Sequence, residues 1–274
     1  CRCRRARLWP PQAFSNNPSV ENSYMTSPLI PMTVEHINKS YGKQSVLGDI
    51  SFSLNPGEIF GLVGLNGAGK TTLIKILLDL ASANAGKAAI FGEASTRVKA
   101  REKLSYLPEK FSPSRYLKGK EYLSLALSYY GKKLDLQKAR QLAVDLDLDP
   151  NVLDRKVGGY SKGMGQKLGL IGAFMVDQPF MILDEPMSGL DPRARIRLKE
   201  VMLRAKSEGK TLFFSSHILS DIDEICDRIG IIHDSKLVYL GTAAAFKPTF
   251  HEATLERAFL RAIGEVPDVM PTAA

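Results

Sequence analysis

The residues best suited to chemistry in this chain form one run, Gly64-Leu65-Asn66-Gly67-Ala68-Gly69-Lys70-Thr71-Thr72. An apolar pentad, Ile59-Phe60-Gly61-Leu62-Val63, precedes it, and the apolar periodic stretch Leu73-Ile74-Lys75-Ile76-Leu77-Leu78 follows. GxxxxGK[ST] set between a strand and a helix is a phosphate-binding loop. Its glycines let successive backbone N–H groups curl around phosphate oxygens, at a helix N-terminus whose partial positive charge favours anions. In that frame Lys70 reaches the β- and γ-phosphates, and the Thr71 hydroxyl is a Mg²⁺ ligand. A glycine-rich run that merely turns the chain needs neither the lysine nor the threonine in register.

A second motif completes the chemistry. Phe180-Met181-Ile182-Leu183 runs straight into Asp184-Glu185. A buried strand ending in an acid sets a carboxylate beside the phosphate loop, where Asp184 holds the metal shell. Glu185, one residue on, points elsewhere and is positioned to polarise an attacking water. Two acids at a strand end are common on any surface; the phosphate loop upstream gives this pair a task.

The elements that must hold these groups can be read along the chain. Thr33 to Lys39 and Val46 to Leu54 read as strands, the second with Ile50, Phe52 and Leu54 at period two. Asn55-Pro56-Gly57-Glu58 is a turn into the phosphate-loop strand. Residues 88–91 and 104–107 are further short strands. After Pro108 the character becomes helical, over about 117–131 and 135–147, with a third helix from Ser161 to Val176 that Ser161 N-caps. Strand character returns at 180–183 and 211–215 around a charged helix, Pro192 to Ser207. A hairpin follows, with 229–232 and 237–240 flanking Asp234-Ser235.

Composition sets the outer limits. The 274 residues are 44% hydrophobic and 24% charged, ordinary values for a globular protein with a substantial core. No apolar run reaches the ~18–20 residues that cross a bilayer, so a membrane role has to come through a partner. The net charge of +8 suits a nucleotide binder near anionic lipid and equally a nucleic-acid binder, and alone decides nothing. Three cysteines, Cys1, Cys3 and Cys226, make no disulfide framework, which fits a reducing, cytoplasmic setting. Residues 1–24, with Arg2, Arg4, Arg5 and Arg7 and then a polar, proline-containing stretch, read as a disordered or non-native extension, with Met25 or Met32 as the natural start.

Taken in order, Tyr160-Ser161-Lys162-Gly163-Met164, Asp184-Glu185-Pro186 and Ser188-Gly189-Leu190-Asp191-Pro192 carry a family likeness. From about Thr33 to Leu240 the chain resembles the nucleotide-binding subunit of ABC transporters. Segment 160–164 resembles the signature usually written LSGGQ: Ser161 and Gly163 match it, while Tyr160, Lys162 and Met164 depart. The resemblance implies that Ser161 and the helix start behind it clamp ATP across a dimer, that His217 is the switch histidine at the γ-phosphate, and that Tyr41 stacks on adenine. It also implies that the residue after Leu107-Pro108 contacts Mg²⁺ and the lytic water. The family commonly has Gln there; this chain has Glu109, which accepts from a metal-bound water but adds negative charge.

The fold implied is α/β, a P-loop (RecA-like) ATPase core with an antiparallel β-subdomain and an inserted α-helical subdomain. Core segments lie at about 33–108 and 178–245, the insert at about 109–177, and a C-terminal helix at about 253–264. By resemblance the cofactors are ATP and Mg²⁺. The partners are a second copy or a homologous ATPase subunit and a separate membrane-spanning permease, with no nucleic acid. The place is the cytoplasmic face of the membrane, as a peripheral subunit. The motif wording, with Thr254-Leu255-Glu256-Arg257-Ala258-Phe259-Leu260 near the end, resembles two-component export systems. A soluble relative acting on ribosome or DNA is the rival; its forms carry paired cassettes or long insertions, which this chain lacks. Some of Tyr116, Tyr122, Tyr129 and Tyr130 are expected to line the groove between insert and core, where the family's permease docks.

Overall fold

All five residues of the pentad before the phosphate loop are buried, and the fold is laid out around them. The structure is a computed structural model and describes residues 29–265; the expectations for residues 1–24 and for Met25 lie outside them. Met32 is fully buried and opens the first strand.

The strands are β1 (Met32–Tyr41), β2 (Gln44–Ser53), β3 (Ile59–Val63), β4 (Ala85–Ile90), β5 (Glu93–Ala94), β6 (Leu104–Leu107), β7 (Phe180–Leu183), β8 (Thr211–Ser216), β9 (Arg228–His233) and β10 (Lys236–Thr242). The helices are α1 (Lys70–Leu77), α2 (Gly119–Ser128), α3 (Leu136–Asp145), α4 (Lys162–Met175), α5 (Pro192–Ser207), α6 (Leu219–Ile225), α7 (Ala243–Thr249) and α8 (Leu255–Ala262). A six-stranded sheet runs in the order β10-β9-β3-β8-β7-β6, parallel throughout except for the β9–β10 hairpin. A second, antiparallel sheet has the order β2-β1-β4-β5.

Parallel strands covered on both faces read as continuous apolar runs, and alternation within each run decides which core a residue joins. Phe60, Leu62, Phe180, Ile182 and Phe213 face α1 and the antiparallel sheet. Ile59, Val63, Met181, Leu183, Leu212 and Phe214 face α4, α5 and the helices of the insert. On the first side Phe60 lies between Phe52 of β2 and Phe213 of β8, with ring centroids 5.2 and 5.9 Å apart and planes nearly parallel. That stack joins the two sheets directly behind the phosphate loop.

The insert is α2, α3 and α4, placed between β6 and β7. Leu123, Leu127 and Leu142 bury against α4, whereas the apolar Val144 of α3 is exposed. The four tyrosines divide. Tyr122 packs edge-on against Phe111 at 5.3 Å, and the Tyr130 hydroxyl donates to the Leu104 carbonyl at 3.3 Å. Tyr116 and Tyr129 are exposed. None of the four lines the cavity at the foot of the insert where Tyr160 stands. Two help fill the subdomain, and two lie on the surface.

The C-terminal segment forms α8 within the expected range. Thr254 caps it by accepting from the Arg257 N–H, and Leu255, Ala258 and Phe259 are buried. Two helices and one strand were not foreseen. α6 has seven residues and β5 two, too few to show a period; α7 carries Pro248 near its end, a residue that argues against helix when read alone. Phe213→Ala empties the centre of the stack. It is expected to destabilise the chain by roughly 3–5 kcal/mol, read as a lowered urea midpoint with an unchanged circular dichroism spectrum before the transition.

Candidate functional site

At the C-terminal end of β3 the chain turns through the phosphate loop into α1. Gly69 adopts φ +104°, and a Cβ there would sit 2.7 Å from the Val46 carbonyl oxygen, so both conformation and space require glycine. At the loop's foot Gly64 lies against β9; a Cβ there would meet the Ile232 carbonyl oxygen at 2.6 Å. Lys70, the first residue of α1, is buried and folds back over the loop. Its ammonium donates to the carbonyls of Gly64 at 2.7 Å and Leu65 at 3.3 Å, and lies 3.4 Å from Glu185 Oε1.

β7 ends beside it. Asp184 is wholly buried; its Oδ1 accepts from the Ser215 hydroxyl at 2.6 Å and the Thr71 hydroxyl at 3.3 Å, while its Oδ2 has no hydrogen-bond partner among the described residues. Burial pushes the Asp184 carboxyl up from its ordinary range; the two hydroxyl donors oppose this, and the charges of Glu109 and Glu185 add to it. Tyr106 on the neighbouring strand is pushed up to about 12, first by burial and then by Asp184 and Glu109. Glu185 takes a left-handed backbone conformation, φ +50°, uncommon for a residue with a side chain. Its N–H donates to Ser215 Oγ at 2.9 Å, and its Oε2 lies 2.9 Å from His217 Nδ1.

These groups border one cavity of about 420 Å³, lined by residues 66–72 together with Glu109, Glu185, Ser188 and His217. The structure thus brings together Asn66, Gly67, Ala68, Gly69, Lys70, Thr71, Thr72, Glu109, Glu185 and His217, with Asp184 buried behind them. Gly64 lies beneath the loop as an acceptor for Lys70. Leu65, with Asn66, Gly67 and Ala68, lines a neighbouring cavity of about 260 Å³ toward Gln44, Val46 and the β9–β10 turn. Tyr41 lines neither cavity. It is half exposed at the end of β1, paired in register with Gln44, with the Lys39 ammonium 4.7 Å over its ring. Ser161 also lies outside the phosphate cavity of its own chain. It caps α4 by accepting from the Met164 N–H at 3.2 Å and borders the groove that holds Tyr160, Gln166 and Ser188. Gly163 lies in the first turn of α4, where a Cβ would sit 3.0 Å from the Gly189 carbonyl oxygen. Glu109 and Ser188 border both the phosphate cavity and this groove.

An all-oxygen donor set with one buried carboxylate oxygen lacking a partner fits Mg²⁺. Among the described residues no three His, Cys, Asp or Glu side chains form a metal site unaided. That suits an ion held by one or two protein carboxylates and completed by phosphate oxygens and water. Two participants escaped sequence reasoning. Ser215 fixes both Asp184 and Glu185, yet in the sequence it is only the fifth residue of an apolar strand. Ser188 lines the cavity because Ser188 N–H donates to the Glu185 carbonyl at 3.0 Å, a turn that the spacing after Asp184-Glu185 does not reveal.

A parallel sheet with a lysine-closed phosphate loop, a buried acid on the adjoining strand and a histidine beyond the next one defines a P-loop nucleotide-binding domain. A family profile described as ABC transporter matches residues 47–188, and the chain belongs to that family as an ATP-binding subunit. It is 38% identical over 242 residues to an uncharacterised ABC transporter ATP-binding protein of Nostoc sp., an alignment covering 84% of this chain and 72% of that one. It is 34% identical to the Nod factor export ATP-binding protein I of Burkholderia orbicola, covering 79% and 72%. A solved ATP-binding subunit of an ABC transporter superposes with a TM-score of 0.77 at 31% identity, covering 84% of this chain and 98% of that one.

Ser215→Ala removes the hydroxyl that donates to Asp184 and accepts from Glu185 N–H. Loss of such an outer partner is expected to weaken Mn²⁺ binding in the presence of nucleotide by ~10–100-fold, measured by electron paramagnetic resonance, with the fold retained.

Proposed function

We propose that this chain hydrolyses MgATP at a dimer interface and drives a separate membrane-spanning permease, in export. The observation that carries the proposal is the convergence of Lys70, Glu185 and His217 at the phosphate cavity, with the Glu185 carboxylate held between the other two at 3.4 and 2.9 Å.

The loop N–H groups and the start of α1 receive the phosphates, and Lys70 neutralises charge at the β,γ-bridge. Asp184, Thr71 and Glu109 are the residues that would hold Mg²⁺, which when bound offsets the negative charge of the phosphate oxygens. Glu185 accepts the proton of the attacking water at its carboxylate, and the left-handed backbone at this residue aims that group into the cavity. His217, through the nitrogen not facing Glu185, is available to the γ-phosphate. Tyr41 supplies the adenine stack from the β1–β2 hairpin.

Ser161 and Gly163 do not line their own chain's phosphate cavity, which supports their use by a second copy or a homologous subunit. One end of the ATP is then gripped by the phosphate loop of one subunit and the other by the α4 start of its partner. No described helix is long and apolar enough to cross a membrane. In this reading a separate permease supplies the transport path, and this chain binds it peripherally at the cytoplasmic face. The Nod factor export relative supports export as the direction.

Glu185→Gln keeps shape and removes the base. Turnover is expected to fall by ~10²–10⁴-fold, while ATP binding persists and sedimentation shows a nucleotide-dependent dimer. Wild-type turnover in that variant, or a monomer at saturating ATP, overturns the proposal.

A further inference from the structure

Behind the phosphate cavity lies a buried ion cluster that the chemistry above does not use. Asp221, on α6, is 3% exposed. Its Oδ1 is 3.0 Å from the Lys199 ammonium of α5, and Lys199 in turn lies 2.9 Å from Glu224 Oε2. Burial works against the Lys199 charge, yet Glu224 and Asp221 hold its pKa above the usual lysine value. Asp221 Oδ2 has no hydrogen bond among the described residues; the cation facing it is the Arg195 guanidinium, 3.7 Å away. Arg195 uses its Nε elsewhere, donating to the Leu190 carbonyl at 3.2 Å.

The two ends of this chain of contacts both return to the cavity. Leu190 belongs to the turn Ser188-Gly189-Leu190-Asp191, whose Ser188 lines the cavity, and Asp191 caps α5 by accepting from the Ala194 N–H at 3.0 Å. Asp221 lies in the first turn of α6, the helix that begins two residues after His217. A desolvated carboxylate needs its cation, and a guanidinium offers several donors in fixed directions. Here one fork edge serves the turn's carbonyl while another faces Asp221.

We infer that Asp221 and Arg195 are positioning residues that tie the Ser188–Asp191 turn to the His217 segment, so that these two walls of the cavity keep one relative placement. Lys199 and Glu224 anchor the cluster without reaching the turn. The inference rests on the ATPase proposal, because its effect is read in turnover.

The test compares steady-state ATPase of the full chain with Arg195→Gln, Asp221→Asn, their combination and Glu224→Gln. Arg195→Gln and Asp221→Asn are each expected to lower kcat roughly tenfold, with KM for MgATP moved less than about twofold. The combination is expected to be no slower than the worse single variant, since both cut the same tie. Glu224→Gln, on the exposed side of Lys199, is expected to keep the wild-type kcat. Arg195 is partly exposed, so Arg195→Gln carries the test if Asp221→Asn fails to fold. Equal kcat in wild type and Arg195→Gln, with only the melting temperature lowered, overturns the inference and leaves the ATPase proposal standing. So does a kcat loss in the double variant that multiplies the two single losses. A wild-type chain without turnover sinks both.

Discussion

A carboxylate with no exposure to water is the most demanding group in this protein. Asp184 follows a strand in which every residue is buried, one of its oxygens is satisfied by two hydroxyls, and the other has no hydrogen-bond partner among the described residues. Burying an anion this way is costly unless something compensates it. The compensation is spread over the surrounding elements: Ser215 from β8, Thr71 from α1, and an open side toward the cavity. Strand order follows from that need. β7 sits between β6, which Glu109 follows by two residues, and β8, which carries Ser215, and β3 delivers the phosphate loop from the far side of β8.

The aromatic stack serves the same constraint at longer range. Phe52, Phe60 and Phe213 couple the antiparallel sheet to β3 and β8, the strands that deliver the loop and Ser215. Aromatic rings bury large areas, and near-parallel stacking leaves them little freedom to slide. The antiparallel sheet, with the β1–β2 hairpin that carries the half-exposed Tyr41, is thereby held against β3 and β8.

Much of this was legible in the sequence, for reasons that differ by element. β3 and β7 are short runs of continuous apolar residues ending in chemistry-bearing ones, and their limits matched to the residue. α4 was marked by its cap, Ser161, and α5 by Asp191-Pro192. What stayed hidden was set by tertiary contact. Tyr122 and Tyr130 look the same in the sequence as Tyr116 and Tyr129, yet only packing against Phe111 and the Leu104 carbonyl distinguishes them. Ser215 acquires its role from two acids about thirty residues earlier in the chain, a relation that no local period records. The left-handed turn at Glu185 is likewise a consequence of β7 ending against β8 rather than of any residue preference.

The separation of Ser161 from its own chain's cavity has a consequence for how such a protein scales in the cell. If each chain carries two unlike halves of a site, complete sites appear with the square of chain concentration when chains are scarce, and activity acquires a threshold. Excess chains beyond their membrane partners then need not idle harmlessly: they can pair with each other and consume ATP without moving cargo. Matching the supply of such a subunit to that of a membrane partner would then be a matter of energy economy, set by the place of one serine outside its own chain's cavity.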